Sequence, residues 1–110
     1  MDARKRRRIE AAGWRVGSAA EFLGLTEAET ELIGMRVALS KHVRIWRVRA
    51  RLTQQALARR LESSQSRVAK LEAGDPSVSF DLLVLAALAA GASRLEVAKA
   101  IAPGKRLAAG

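Results

Sequence analysis

Cysteine is absent from this chain of 110 residues. That absence excludes a disulfide framework, a thiolate nucleophile and a cysteine-ligated metal site. No run of about 18 apolar residues exists to span a bilayer, and the basic stretch RKRRR at residues 4–8 is not followed by the apolar segment of a signal peptide. A soluble, cytoplasmic protein without a membrane partner is expected. Strand signals are missing as well, since no segment alternates convincingly between apolar and polar residues, and no internal repeat recurs.

Signatures of catalysis are equally scarce. The chain has no glycine-rich phosphate loop, nucleophile elbow or paired carboxylates in a polar setting. His42 is the only histidine and has no Cys, Asp or Glu clustered with it at ligand spacing, so it reads as structural. No catalytic residue, metal or cofactor is predicted, and an enzyme is not expected.

The chain does have charge and apolar content. A formal net charge of +9 favours a polyanionic partner, nucleic acid before an anionic membrane surface. Hydrophobic residues make up 49%, enough for one compact domain with a modest core.

Residues 1–13 (MDARKRRRIEAAG) are too polar to offset the entropy of ordering and read as a mobile basic arm, either a solvated tail or an arm that follows phosphates. Residues 14–31 form an N-terminal helical extension and the start of a long helix. Ser18 with Glu21 and Thr26 with Glu29 have the capping-box spacing of two helix starts, and Gly24 between them suits a C-cap. Trp14 and Phe22, like Trp46 further on, are expected in core or dimer packing.

From Glu27 to about Ala50, Leu32, Met35, Leu39, Val43, Trp46 and Ala50 recur at steps of three and four, predicting one apolar stripe along a helix. Arg36, Lys41, Arg44, Arg47 and Arg51 fall on another side, and no acidic residue occurs between Glu31 and Glu62. A solvated face usually mixes signs, so some of these cations are expected to neutralise phosphates, Arg49 and Arg51 foremost and Arg44 with them.

Two short helices follow in LTQQALARRLESSQSRVAKLEAG, residues 52–74. If they cross steeply, Ala58 sits at the closest approach while Leu57, Leu61, Val68 and Leu71 fill the wedge. Gln65, Ser66, Arg67 and Lys70 then face outward from the front of the second helix, where a B-form major groove can receive them. Ser79 or a neighbour caps FDLLVLAALAAG, apolar nearly all round and hence expected as a central buried helix. A third capping box, Ser93 with Glu96, starts a last helix with Leu95, Ala98, Ile101 and Ala102 on its packed side.

LTQQALA and QSRVAKLEAG, followed by a capped apolar helix, resemble the helix-turn-helix of the Cro/C1-type repressors, the XRE family, over roughly residues 32–91. The resemblance implies an all-α, five- or six-helix lambda-repressor-like domain with an N-terminal helical extension. The DNA-binding domain is expected over 32–102 and a C-terminal tail over 103–110. By the family pattern, Gln54 contacts phosphate and supports the next contact, while Gln65 and Ser66 read bases. Arg67 and Lys70 can take guanine or phosphate.

The resemblance also implies a homodimeric, sequence-specific transcriptional repressor at the nucleoid, dimerising through the last helix or the N-terminal segment. The extension ahead of a long first helix resembles HigA-type antitoxins, which implies autoregulation and a toxin partner as an alternative. A non-specific nucleoid-type binder is the further alternative, for which charge alone suffices. One departure is Glu62, where the family usually has Gly. A left-handed backbone costs a non-glycine residue about 1 kcal/mol, so a longer or differently shaped turn is expected there.

Overall fold

A computed structural model describes residues 23–102. The basic arm, the Ser18/Glu21 pair, Trp14, Phe22 and the tail from 103 lie outside the described residues. These hold five helices: α1 (Glu27–Arg49), α2 (Gln54–Arg60), α3 (Gln65–Glu72), α4 (Phe80–Ala89) and α5 (Arg94–Ile101). No strand occurs among the described residues, so the fold is all-α.

The chain divides into two compact units between Gly34 and Met35, within α1. In the first unit Gly24 takes a left-handed φ of 71°. Thr26 Oγ1 accepts from the Glu29 N–H at 3.0 Å and Glu29 Oε1 from the Thr26 N–H at 2.9 Å, the reciprocal box expected at the start of α1.

In the second unit every helix after α1 starts the same way. Thr53, Ser64, Ser79 and Ser93 each sit at an N-cap in extended backbone and accept from an N–H three residues on. Each such cap stabilises its helix by about 1 kcal/mol, and the Ser93/Glu96 box is complete.

Helix ends share a motif too. Two backbone bonds close α3, from Gly74 to Leu71 O and from Asp75 to Lys70 O, and two close α4, from Gly91 to Leu88 O and from Ala92 to Ala87 O. These are Schellman turns, whose left-handed residue is usually Gly, as it is at Gly74 and Gly91. The same pairs of bonds end α1 and α2, but there the left-handed residues are Arg51 (φ 61°) and Glu62 (φ 52°). The turn after α2 is therefore no longer than the glycine-bearing ones: Glu62 itself adopts the strained backbone, and the Ser63 N–H reaches Ala58 O at 2.9 Å.

The core gathers Leu39, Val43 and Trp46 from α1, Leu57 and Ala58, Val68 and Leu71, Leu83, Ala86 and Ala87, and Val97 and Ala100. Three expected faces are turned otherwise. On α1, Leu32 and Ala50 are exposed and Met35 half-buried, while Ser40 is buried and its Oγ donates to Leu71 O at 2.6 Å. The buried side of α1 thus includes a polar residue and leaves out some of the apolar steps.

Helix α4 is not buried all round, because Leu85 and Leu88 stand outward with Asp81. On α5 Leu95, Ala98 and Ala102 are exposed, and Val97 and Ala100 pack instead, with Ile101 partly buried beside them. Glu96, in the first turn of α5, forms an exposed ion pair with Arg49. His42 is structural in its contacts: Nδ1 lies 2.8 Å from Ala38 O and its ring centroid 5.5 Å from that of Trp46.

Candidate nucleic-acid interface

Helices α2 and α3 pack on each other through the residues the spacing selected. Leu57, Ala58, Val68 and Leu71 are buried, and Leu61 is partly buried against the same cluster. With Val68 and Leu71 turned inward, the 3.6-residue period leaves Gln65, Ser66, Arg67 and Lys70 exposed on the remaining arc of α3.

Ser64 caps this helix, accepting from the Arg67 N–H at 3.2 Å, and its Oγ lies 3.2 Å from Ser66 Oγ. Arg67 and Lys70 carry no ion pair among the described residues and line an open depression of about 260 Å³ with Ser64, Ser66, Ser77 and Val78. Arg36 holds the far wall, donating to Pro76 O at 3.3 Å and to Val78 O.

Gln54 and Gln65 are brought together, Gln65 Nε2 donating to Gln54 Oε1 at 2.6 Å. Gln54 is half-buried and its Nε2 donates to Glu72 Oε1 at 3.1 Å. The expected basic face of α1 is split. Lys41, Arg44 and Arg51 are exposed and unpaired among the described residues, whereas Arg36 and Arg47 turn into the protein. Arg47 pairs with Glu72 at 2.5 Å and also reaches Leu52 O at 2.9 Å; the hydrogen bond it donates to Glu72 raises its already high pKa. Arg49 is engaged by Glu96 at 2.6 Å.

Glu72 was not singled out by spacing, and Arg36, expected on the basic face of α1, instead donates to the loop carbonyls of Pro76 and Val78. A signal for Glu72 existed: a carboxylate at a helix C-terminus opposes the helix dipole, and in a basic stretch such a residue points to a cationic partner. No cluster of His, Cys, Asp or Glu able to hold a metal occurs, and no helix is long and apolar enough to cross a membrane, among the described residues.

A family model for the helix-turn-helix domain matches residues 38–100, more than half of the chain. The chain belongs to that family, a class of DNA-binding domains, and DNA is the partner it implies. No curated protein and no solved structure matches the chain.

Proposed function

We propose that the protein is a sequence-specific, double-stranded DNA-binding transcriptional regulator of the XRE (Cro/C1) type, a dimeric repressor acting at the nucleoid, its own promoter included. It binds and does not catalyse. One observation carries the reading: Gln65, Ser66, Arg67 and Lys70 stand exposed together at the front of a capped helix whose other face is locked into the core. A glutamine amide can pair with adenine N6 and N7, a serine hydroxyl with several edges, and Arg67 or Lys70 with guanine or a phosphate.

Arg44, Arg51 and Gln54 supply backbone contacts in this reading. Arg49 contributes only if it leaves Glu96. The reading set is small, so specificity needs two half-sites and hence a second copy. Leu85, Leu88 and Leu95, exposed on α4 and α5, offer apolar surface for that copy.

Fluorescence anisotropy on the DNA upstream of the gene and on a scrambled duplex, at several salt concentrations, tests it. A preference of about a thousandfold or more supports a specific repressor. Weak, equal and steeply salt-dependent binding would mean a non-specific nucleoid binder. A second reading, neutralisation of a small toxin by direct binding, draws support from Val37, Ile45 and Val48, exposed on α1. Co-purification of a protein encoded beside its own gene, and loss of that partner in Ile45→Glu, would favour it.

A further inference from the structure

Gln65 opens α3, yet its side chain is fixed from the other end of the same helix. Its Nε2 donates to Gln54 Oε1 at 2.6 Å, and Gln54 Nε2 donates to Glu72 Oε1 at 3.1 Å. Glu72 in turn accepts Arg47 Nε at 2.5 Å on Oε2 and Arg47 Nη2 at 3.0 Å on Oε1. Side-chain exposure is 13% for Arg47 and 5% for Glu72, so water competes little for either.

The direction of these bonds is decided at the root. An ionised carboxylate only accepts, and a guanidinium only donates. Gln54 must therefore present its NH₂ to Glu72, which leaves its oxygen toward Gln65. Gln65 must then donate to that oxygen, which leaves its own Oε1 and its second N–H for an outside partner. An acceptor and a donor side by side are what the N6 and N7 edge of adenine requires. A glutamine free to turn its amide over would offer the two in either order.

We propose that Glu72, held by Arg47, is a positioning residue for DNA reading: through Gln54 it sets the amide orientation of Gln65. The proposal rests on the reading of Gln65 as a base reader given above. Glu72→Gln is the discriminating variant, because a neutral amide can donate as well as accept and so releases the direction of the whole chain. Arg47→Met with Glu72→Met is the second variant, since replacing a buried ion pair by apolar residues often leaves a fold intact.

A preferred duplex is first selected from a random library with the wild-type protein. Affinities are then measured for duplexes changed one base pair at a time, with wild type, Glu72→Gln, Gln54→Ala and the Gln54→Ala/Glu72→Gln double variant. Glu72→Gln is expected to lower discrimination about tenfold at one base position and to leave the other positions within about twofold. On the Gln54→Ala background it is expected to add nothing. Equal losses at every position, or a full effect without Gln54, would reduce Glu72 to a structural role and overturn the proposal.

The side-chain amide resonances of Gln54 and Gln65 in the free protein give a readout that needs no DNA. They are expected to move toward those of a free glutamine in Glu72→Gln and in the Met/Met variant. Unmoved resonances overturn the relay even if the protein is a specific repressor. Shifted resonances with no base preference in the wild type would instead uphold the relay and sink the repressor reading.

Discussion

Arg49 and Glu96 form a bidentate pair, Nη1 to Oε2 at 2.6 Å and Nη2 to Oε1 at 3.2 Å, that ties the last turn of α1 to the first turn of α5. The Arg49 hydrogen bond, with help from the Ser93 N–H, holds the Glu96 carboxyl at about 2, against 4.5 for an ordinary glutamate. The fold thus favours the ionised form. Its contribution is complete above pH 4.5 and is lost as pH falls through about 2. Urea unfolding at stepped pH should show Glu96→Gln less stable near neutrality, with a flatter decline in that acid window. Parallel profiles for the two proteins would mean that the pair contributes nothing.

Replacing Gln65 and Ser66 together by Ala should weaken binding to the preferred duplex by about ten- to a hundredfold more than binding to random DNA. Anisotropy on both duplexes at one salt concentration decides it. Equal losses would remove these two residues from the base-reading set.

Arg51 joins a positive charge to a strained backbone, and Arg51→Gly separates them. Relief of the left-handed strain gains about 1 kcal/mol, part of which the added freedom of the unfolded chain cancels. Stability should stay level or rise slightly, while DNA binding weakens and the salt slope falls by about one unit. An unchanged slope would show that Arg51 touches no phosphate.

Leu85 and Leu95 point outward, so changing both to Lys should alter the stability of the monomer by no more than about 0.5 kcal/mol. Sedimentation equilibrium should nevertheless show dimerisation at least tenfold weaker than in the wild type. A dimer of undiminished strength would place its interface elsewhere.

Ala58 is 3% exposed in the core beside Leu57, so a larger side chain there has to displace packed neighbours. Ala58→Leu should cost about 1–3 kcal/mol, read as a lower denaturation midpoint with an unchanged slope.

Residues 52–79 were the most legible part of the chain because what fixes them is local. A cap needs only a Ser or Thr and an N–H three residues away, and the α2–α3 wedge needs only apolar residues at helical spacing. Gly74 and Gly91 announced their helix ends for the same reason. The ends at Arg51 and Glu62 carry no such glycine, because charged residues there adopt the backbone that glycine normally takes.

Rotation about the helix axes was harder to read. Leu95, Ala98 and Ala102 fit a packed stripe on α5 as well as Val97, Ala100 and Ile101 do, and periodicity alone offers both. The choice falls to contacts made across the fold.

By itself, then, the sequence determined the helices, their starts, the residues wedged between α2 and α3, and the polar edge left exposed on α3. Tertiary structure decided which cations stay free. Arg47 finds Glu72 at a separation of 25 residues and Arg49 finds Glu96 at 47, pairings that no local pattern encodes. It also decided the direction in which Gln65 is held, because the acceptor that orients it comes from the far end of its own helix by way of α2. The physical reason is range: capping and periodicity act within about four residues along the chain, whereas a guanidinium or an amide is oriented by whatever the packed core brings within about 3 Å of it.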